Sequence, residues 1–290
     1  MLTVLYAGVA TGAVYALVAL GINLIYLPTG VQNFAQAQFL ALGALLSYSA
    51  LVTWHWVWPA ALALAIVGPA AVALLEEGIV VRVAHKLKAD THTALVSTLG
   101  FGVALEGLAG IHWGYNPLGV PFPGPKGVVT ILSGRIQPVE LITILFAIVV
   151  TITGELAVHR TRVGLRFAAV AQDVDAARVL GINAGRINSG AFMVAGGVAG
   201  AAGFLLAPVS FASADLGSEF LLYGFVAVAI GGFGSQVGCL VGGLLLGLIE
   251  GFATYEFGGG YTDLIAFIVL LVVLVARPTG LFGRTRLRTV

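Results

Sequence analysis

"RTRVGLRFAAVAQDVDAARVLGINAGRIN", residues 160–188, decides how the rest of this chain is read. Long apolar runs lie on both sides of it, yet it carries Arg160, Arg162, Arg166, Asp173, Asp175, Arg178 and Arg186. Its middle, 165–180, has no Gly or Pro and many Ala, so the spacing predicts a short helix. Gly181 follows as a C-terminal stop. Val174, Ala177, Val179 and Leu180 can line one side, while Asp173, Asp175 and Arg178 supply charge elsewhere. Such a helix must bury its apolar stripe on the membrane surface, on its own spans, or in a groove of a cytoplasmic partner.

The flanking composition places this insert in a membrane protein. Of 290 residues, 59% are hydrophobic and 9% charged, and the mean hydropathy is +1.03. A soluble chain carries roughly a quarter charged residues. Apolar runs near the about 20 residues that cross a hydrocarbon core recur along the whole length. Polar, charged and Pro-containing breaks divide them into spans near 4–27, 31–52, 59–82, 93–113, 138–158, 188–208, 219–235, 237–256 and 262–277. Two are poor straight helices: 31–52 opens on "VQNFAQAQ", and 219–235 ends in "IGGFGS". Broken spans are tolerated where backbone is buried in protein or lines a watery cavity. The expected fold is all-α and polytopic, with about eight or nine spans in one domain over 1–290. The first run lacks a basic leader and a small-residue cleavage pattern, so it is expected to be a retained span.

Lys and Arg fix sidedness. Twelve of the 14 basic residues fall in three places: 82–88, 160–188 and the tail from 277, all on one face by span count. That face is cytoplasmic. The outer loop, about 114–137, holds Lys126 and Arg135 and is rich in Pro and Gly, and "TWHWVW" at 53–58 reads as an interfacial aromatic belt. Alternation then puts the N-terminus outside. The net charge of +1 points to no nucleic acid partner. Cys239, alone, packs as a small residue and cannot form an internal disulfide. His55, His85, His92, His112 and His159 sit at span ends or loops without close ligand partners, so no metal site is expected. No nucleophile–base arrangement suggests catalysis.

Polar groups at membrane depth are costly and face a cavity or a partner helix. The densest cluster is Asn33, Gln36 and Gln38, with Phe34 among them and Asn23 one span earlier. Ser97 and Thr98 are further candidates to face such a cavity. The alternative for each is a hydrogen bond to a neighbouring helix. Glu76 and Glu77 lie near the inner end of the third span beside Arg82, and Glu155 near Arg160. Glu106 and Glu250 are deeper, capping a helix contact or facing the cavity, while Glu256 and Asp263 flank an outer turn. "GGVAGAAG" at 196–203 and "GGLLLG" at 242–247 let helices approach closely, inside the chain or against a second membrane subunit.

Six stretches in order resemble one family, the membrane permease subunit of ATP-driven importers for branched-chain amino acids. These are "GVATGAVYALVALGINLIY", "GVQNFAQAQFLALGA", "STLGFGVALEG", "GLRFAAVAQDVDAARVLGIN", "VAVAIGGFGSQVGCLVGGLLLGLIEG" and "RPTGLFGR". The resemblance implies half of a translocation path, working by alternating access in the cytoplasmic (inner) membrane of a prokaryote. It implies a second, distinct but related permease, two cytoplasmic ATPases that bind ATP and Mg, and an external substrate-binding protein. This chain would bind no cofactor itself, and it has no G-x-x-x-x-G-K-[ST] phosphate loop. The resemblance makes 160–187 the coupling segment, with Asp173, Ala176, Ala177, Leu180, Gly181 and Ile182 docking on an ATPase.

One departure bears on the solute. Where the family has Asn-Phe-Ala-His-Gly-Glu, this chain has Gln36 and Gln38 in place of His and Glu. Two titratable groups become neutral amides, which would remove charge from the path and favour a hydrophobic solute bearing a carboxylate. Related permeases handle urea, short amides and aromatic acids besides aliphatic amino acids. A stand-alone channel or secondary carrier for a small neutral solute such as urea is the rival reading; it leaves the charged insert unexplained.

Overall fold

The computed structural model describes residues 1–87, 90–125, 127–131 and 134–283. Lys88, Lys126, Arg284, Arg286 and Arg288, used above to assign sidedness, lie outside the described residues. The chain folds as a bundle of helices: α1 (Leu2–Thr29), α2 (Gln36–Tyr48), α3 (Trp58–Glu76), α4 (Arg82–Lys86), α5 (Thr91–Trp113), α6 (Pro138–Arg160), α7 (Arg162–Gln172), α8 (Val174–Val179), α9 (Ala184–Ser210), α10 (Leu216–Gly231), α11 (Gln236–Phe257) and α12 (Thr262–Ala276). One small antiparallel hairpin, β1 (Val129–Ile131) and β2 (Gly134–Ile136), belongs to the outer loop, with Val129 opposite Ile136. Eight helical stretches among the described residues are long and apolar enough to cross a membrane. The ninth expected span is α10, whose 16 residues reach about 24 Å, short of the about 30 Å core.

The two doubtful spans break where their residues suggest. Gly30, in the left-handed region at φ 71°, ends α1, and 30–35 is unwound before α2 begins at Gln36. The expected helix over 31–52 therefore starts five residues late. Beyond Tyr48 the helix widens into a π-turn at Ser49–Thr53, and α3 does so at Glu77–Val81. Trp54, Trp56 and Trp58 follow, half exposed as an interfacial belt requires. After α10, residues 232–235 form a turn, and Leu281 and Phe282 donate their backbone N–H to Ile230 and Gly231 (2.8 and 2.9 Å).

The buried centre is α1, packed on α11, α9 and α10. Contact between α1 and α11 is backbone on backbone: a Cβ at Gly8 or Gly12 would sit 2.7 Å from the carbonyl of Gly247 or Gly243. Gly196 and Gly200 meet α3 in the same way, and Gly203 meets α2. Both Gly-rich repeats thus serve packing within the chain, which a bilayer demands because lipid offers no hydrophobic drive between helices. The N-terminus shares a face with the outer loop, since Arg135 N–H donates to Thr3 Oγ1 at 3.2 Å.

The charged insert is two helices, not one. Asp173 sits extended between α7 and α8, and its carboxylate accepts from the N–H groups of Asp175 and Ala176 (2.9 and 3.0 Å). An Asx cap competes with helix continuation, and that competition wins here. Gly181 at φ +77° closes α8, with Gly181 and Ile182 N–H donating to Arg178 and Ala177 carbonyls (2.9 and 3.0 Å). Gly181→Val should strain this turn by about 1–2 kcal/mol. Hydrogen exchange should then be about 5–30-fold faster across 174–182 and unchanged in α9; an unchanged rate in α8 would show that the turn tolerates a side chain.

Candidate functional site

The unwound 30–35 segment lies inside the bundle, so each of its polar groups needs a partner. Asn33 supplies two: its Oδ1 accepts from Ala35 N–H at 2.8 Å, and its Nδ2 donates to Glu76 Oε2 at 2.8 Å. Thr98 Oγ1 accepts from Phe34 N–H at 3.3 Å and donates to Leu95 C=O at 2.8 Å. Gln36 donates to Ala195 C=O on α9 at 3.0 Å, its amide lying where a side chain on Gly21 would be. These groups hold the bent segment in place.

Gln38 is different. Its Nε2 donates to Glu106 Oε2 at 2.9 Å and to Ser218 Oγ at 3.0 Å, drawing α2, α5 and α10 together. Ser218 also donates to Glu106. Gln38 is buried, Glu106 half-buried and Ser218 exposed, so the cluster opens to one side of the bundle. Phe34 stacks on Phe225 at 5.5 Å, and Phe225 leads on to Phe233 at 6.3 Å, an aromatic layer on the inner side of the amide cluster.

Ser218 also borders a cavity of about 690 Å³ among α1, α10, α11 and α12. Tyr15 donates to Glu250, and Tyr223 donates to Asp263 at 2.6 Å. The two tyrosine rings stack at 4.7 Å. Glu219 completes the wall, and no Lys or Arg among the described residues lines it.

The sequence candidates therefore separate. Asn23 accepts from Gly234 N–H at 2.7 Å and anchors the α10–α11 turn, away from the amide cluster. Ser97 donates to Thr93 on its own helix. Asn33, Gln36 and Thr98 shape the backbone, while Gln38 joins Glu106 and Ser218, and Phe34 stacks on Phe225. Glu106 is the carboxylate at the cluster. The inference that the glutamines strip titratable groups from this region does not hold, because α5 brings one back against Gln38. Ser218, Glu219, Tyr15 and Tyr223 were not singled out; the run "SADLGSEFLLY" gives only a polar start to an apolar helix. Arg82 pairs with Glu77 at 2.7 Å, not with Glu76, which is buried on Asn33.

The insert also divides. Ala177 is buried against Val170 and Ala184 and is not available to a partner, and the Asp173 carboxylate is occupied as a cap. Val179 and Leu180 are 89% and 76% exposed, beside exposed Ala176 and Gly181, with Ile182 half-buried.

Membrane-length helices around a bent, hydrogen-bonded segment, with a polar cluster open to one side, define a multi-span membrane protein. The chain belongs to the branched-chain amino acid transport system / permease component family, whose model matches residues 4–274. It is 26% identical to the high-affinity branched-chain amino acid transport system permease protein LivH of Escherichia coli K12, covering 99% of this chain and 96% of that one. Identity to the corresponding permease protein BraD of Pseudomonas aeruginosa is 27%, over 98% and 96% of the two chains. The probable branched-chain amino acid transport permease LivH of Methanocaldococcus jannaschii is 25% identical over 92% and 88%. A chain of PsaBC from Streptococcus pneumoniae, in complex with Fab, superposes with a TM-score of 0.49 at 13% identity over 92% and 90%, too distant a likeness to bear on function.

Proposed function

We propose that this chain is one of two permease subunits of an ATP-driven importer in the cytoplasmic (inner) membrane of a prokaryote, carrying branched-chain or other hydrophobic amino acids inward. Its partners are a second, related permease, two cytoplasmic ATPases that hold the ATP and Mg, and an external binding protein. The observation that carries the reading is the bare apolar tip, Val179 and Leu180, at the end of a helix seated through buried Ala177 on Val170 and Ala184, with Val163 and Leu165 of α7 exposed as well. A helix merely resting on lipid would have no need of so firm a seat in its own chain.

That seat suggests the route of coupling. Gly164 packs on the backbone of Ala157 and Val158 at the end of α6, and Ala177 packs on Ala184 at the start of α9. A push on Leu180 is therefore delivered to α9, and Ala195 of α9 holds Gln36, two residues from Gln38. ATP-driven closure of the ATPases would tilt this assembly and open the amide cluster outward; hydrolysis would reset it. The carboxylates around the outer cavity favour a solute with an ammonium group, as an amino acid has, over a simple anion.

Gln38→Leu leaves Glu106 without its amide partner. A hydrogen bond to a charged group contributes about 1.5–3 kcal/mol, so uptake of labelled leucine should fall about 10–100-fold at equal protein level. Undiminished uptake would remove Gln38 from the path. The assembly itself is tested by mild extraction of the tagged chain and mass spectrometry. Two ATPases and a second permease are expected; reproducible recovery of this chain alone, still active in uptake, would overturn the importer reading.

A further inference from the structure

A second recess lies where α6 and α9 diverge over α1, lined in part by Gly21 and Ala195, the two residues against which Gln36 is held. It is a groove of about 490 Å³ walled almost wholly by carbon. Gly154 on α6 and Gly190 on α9 face it, and a side-chain carbon added at either would meet nothing within 4 Å. Its α9 wall extends from Arg186 to Val198, about 18 Å at 1.5 Å per residue, close to the about 15 Å depth of one leaflet's hydrocarbon.

Besides Thr153 and Gln236, its polar lining lies at the cytoplasmic mouth. Arg186 lines that end with Thr161, and Arg160 and Arg162 flank Thr161. None of these arginines makes an ion pair among the described residues. Glu155, the nearest acid on α6, is paired with His159 at 3.0 Å and does not line the groove. An apolar slot one leaflet deep beneath unpaired guanidinium groups at headgroup depth matches a lipid carrying negative charge. A protein helix would find few polar partners along the slot, Thr153 and Gln236, and no reason for cations at one end only.

We propose that this groove holds an acyl chain of one anionic phospholipid of the inner leaflet, with its phosphate on Arg186. The floor of the groove is Val163, Gly164 and Phe167 of α7, so the lipid touches the charged insert as well as the spans. The site is independent of what the protein transports.

The test uses the full-length chain in vesicles that mix phosphatidylglycerol and phosphatidylcholine, one or the other carrying a diazirine on its acyl chain. After photolysis, labelled peptides are mapped by mass spectrometry. Phosphatidylglycerol should label α6 around Gly154 and α9 around Gly190 in preference to phosphatidylcholine. Gly190→Leu should suppress that labelling and leave labelling of α12 unchanged; Gly154→Leu reads the same slot from the opposite wall should the first variant fold poorly. Arg186→Gln should lower phosphatidylglycerol labelling about five-fold, the effect of one basic residue near the membrane surface. Labelling spread evenly over exposed helices, or equal labelling by the two lipids, overturns the proposal, as does labelling indifferent to both leucine variants.

Discussion

Leu180→Asp is expected to abolish ATP-driven uptake while the chain stays folded in the membrane. The side chain is 76% exposed, so aspartate there disturbs no core. Surface substitutions of this kind stay within about 0.5 kcal/mol in stability. Docked against an ATPase, the same position would lose about 1.5–3 kcal/mol of buried leucine and would bury a carboxylate without a partner. Together these should depress uptake more than about 100-fold and remove the ATPases from the purified complex. Ala177→Arg should also stop uptake, but by another route: Ala177 is 1% exposed between Val170 and Ala184, and a guanidinium there breaks the insert itself. Limited proteolysis separates the two, with the insert resistant in Leu180→Asp and cleaved in Ala177→Arg. Near-normal uptake by Leu180→Asp would place the ATPase contact elsewhere.

Gly247→Leu should have the largest effect on the fold. Its Cβ alone would collide with the backbone of Gly8 and Gly12, and neither can give way without moving all of α1. Overpacking costs about 1–3 kcal/mol where side chains can adjust, and more where only backbone is present. The variant is expected to accumulate in membranes at less than about a tenth of the normal level, set against a total stability of only about 5–15 kcal/mol. Gly107→Leu is the matched control, because nothing lies within 4 Å of a side-chain carbon at Gly107. Equal accumulation of both variants would mean that α1 and α11 are less closely joined than described.

The spans were legible because hydropathy at this length has one solution in a bilayer, and even the two broken spans announced themselves through "VQNFAQAQ" and "IGGFGS". The break at Asp173 was not legible from breakers, since no Gly or Pro marks it; the signal was an Asp able to cap the N–H groups after it. The site was half legible. Amides at membrane depth drew notice to both Asn23 and Gln38, which look alike in sequence. Their fates differ because rotation and depth of the helices give Asn23 a backbone N–H 211 residues away and Gln38 a carboxylate 68 residues away. No local pattern encodes those pairings. Ala177 and Leu180, three residues apart on the insert, likewise divide into inside and outside only once α8 is seated on α9.

The closing turn has a mechanical consequence. By donating from Leu281 and Phe282 into the inner end of α10, it ties the base of α12 to α10, and Asp263 with Tyr223 ties the start of α12 to the middle of α10. The two helices are joined at two levels, at the inner end of α10 and at its midpoint, with the acidic cavity beside them. A tilt of α10 would swing α12 with it as one lever. A spectroscopic label near residue 280, on the cytoplasmic side, should thus report the widening of a mouth on the far side of the membrane.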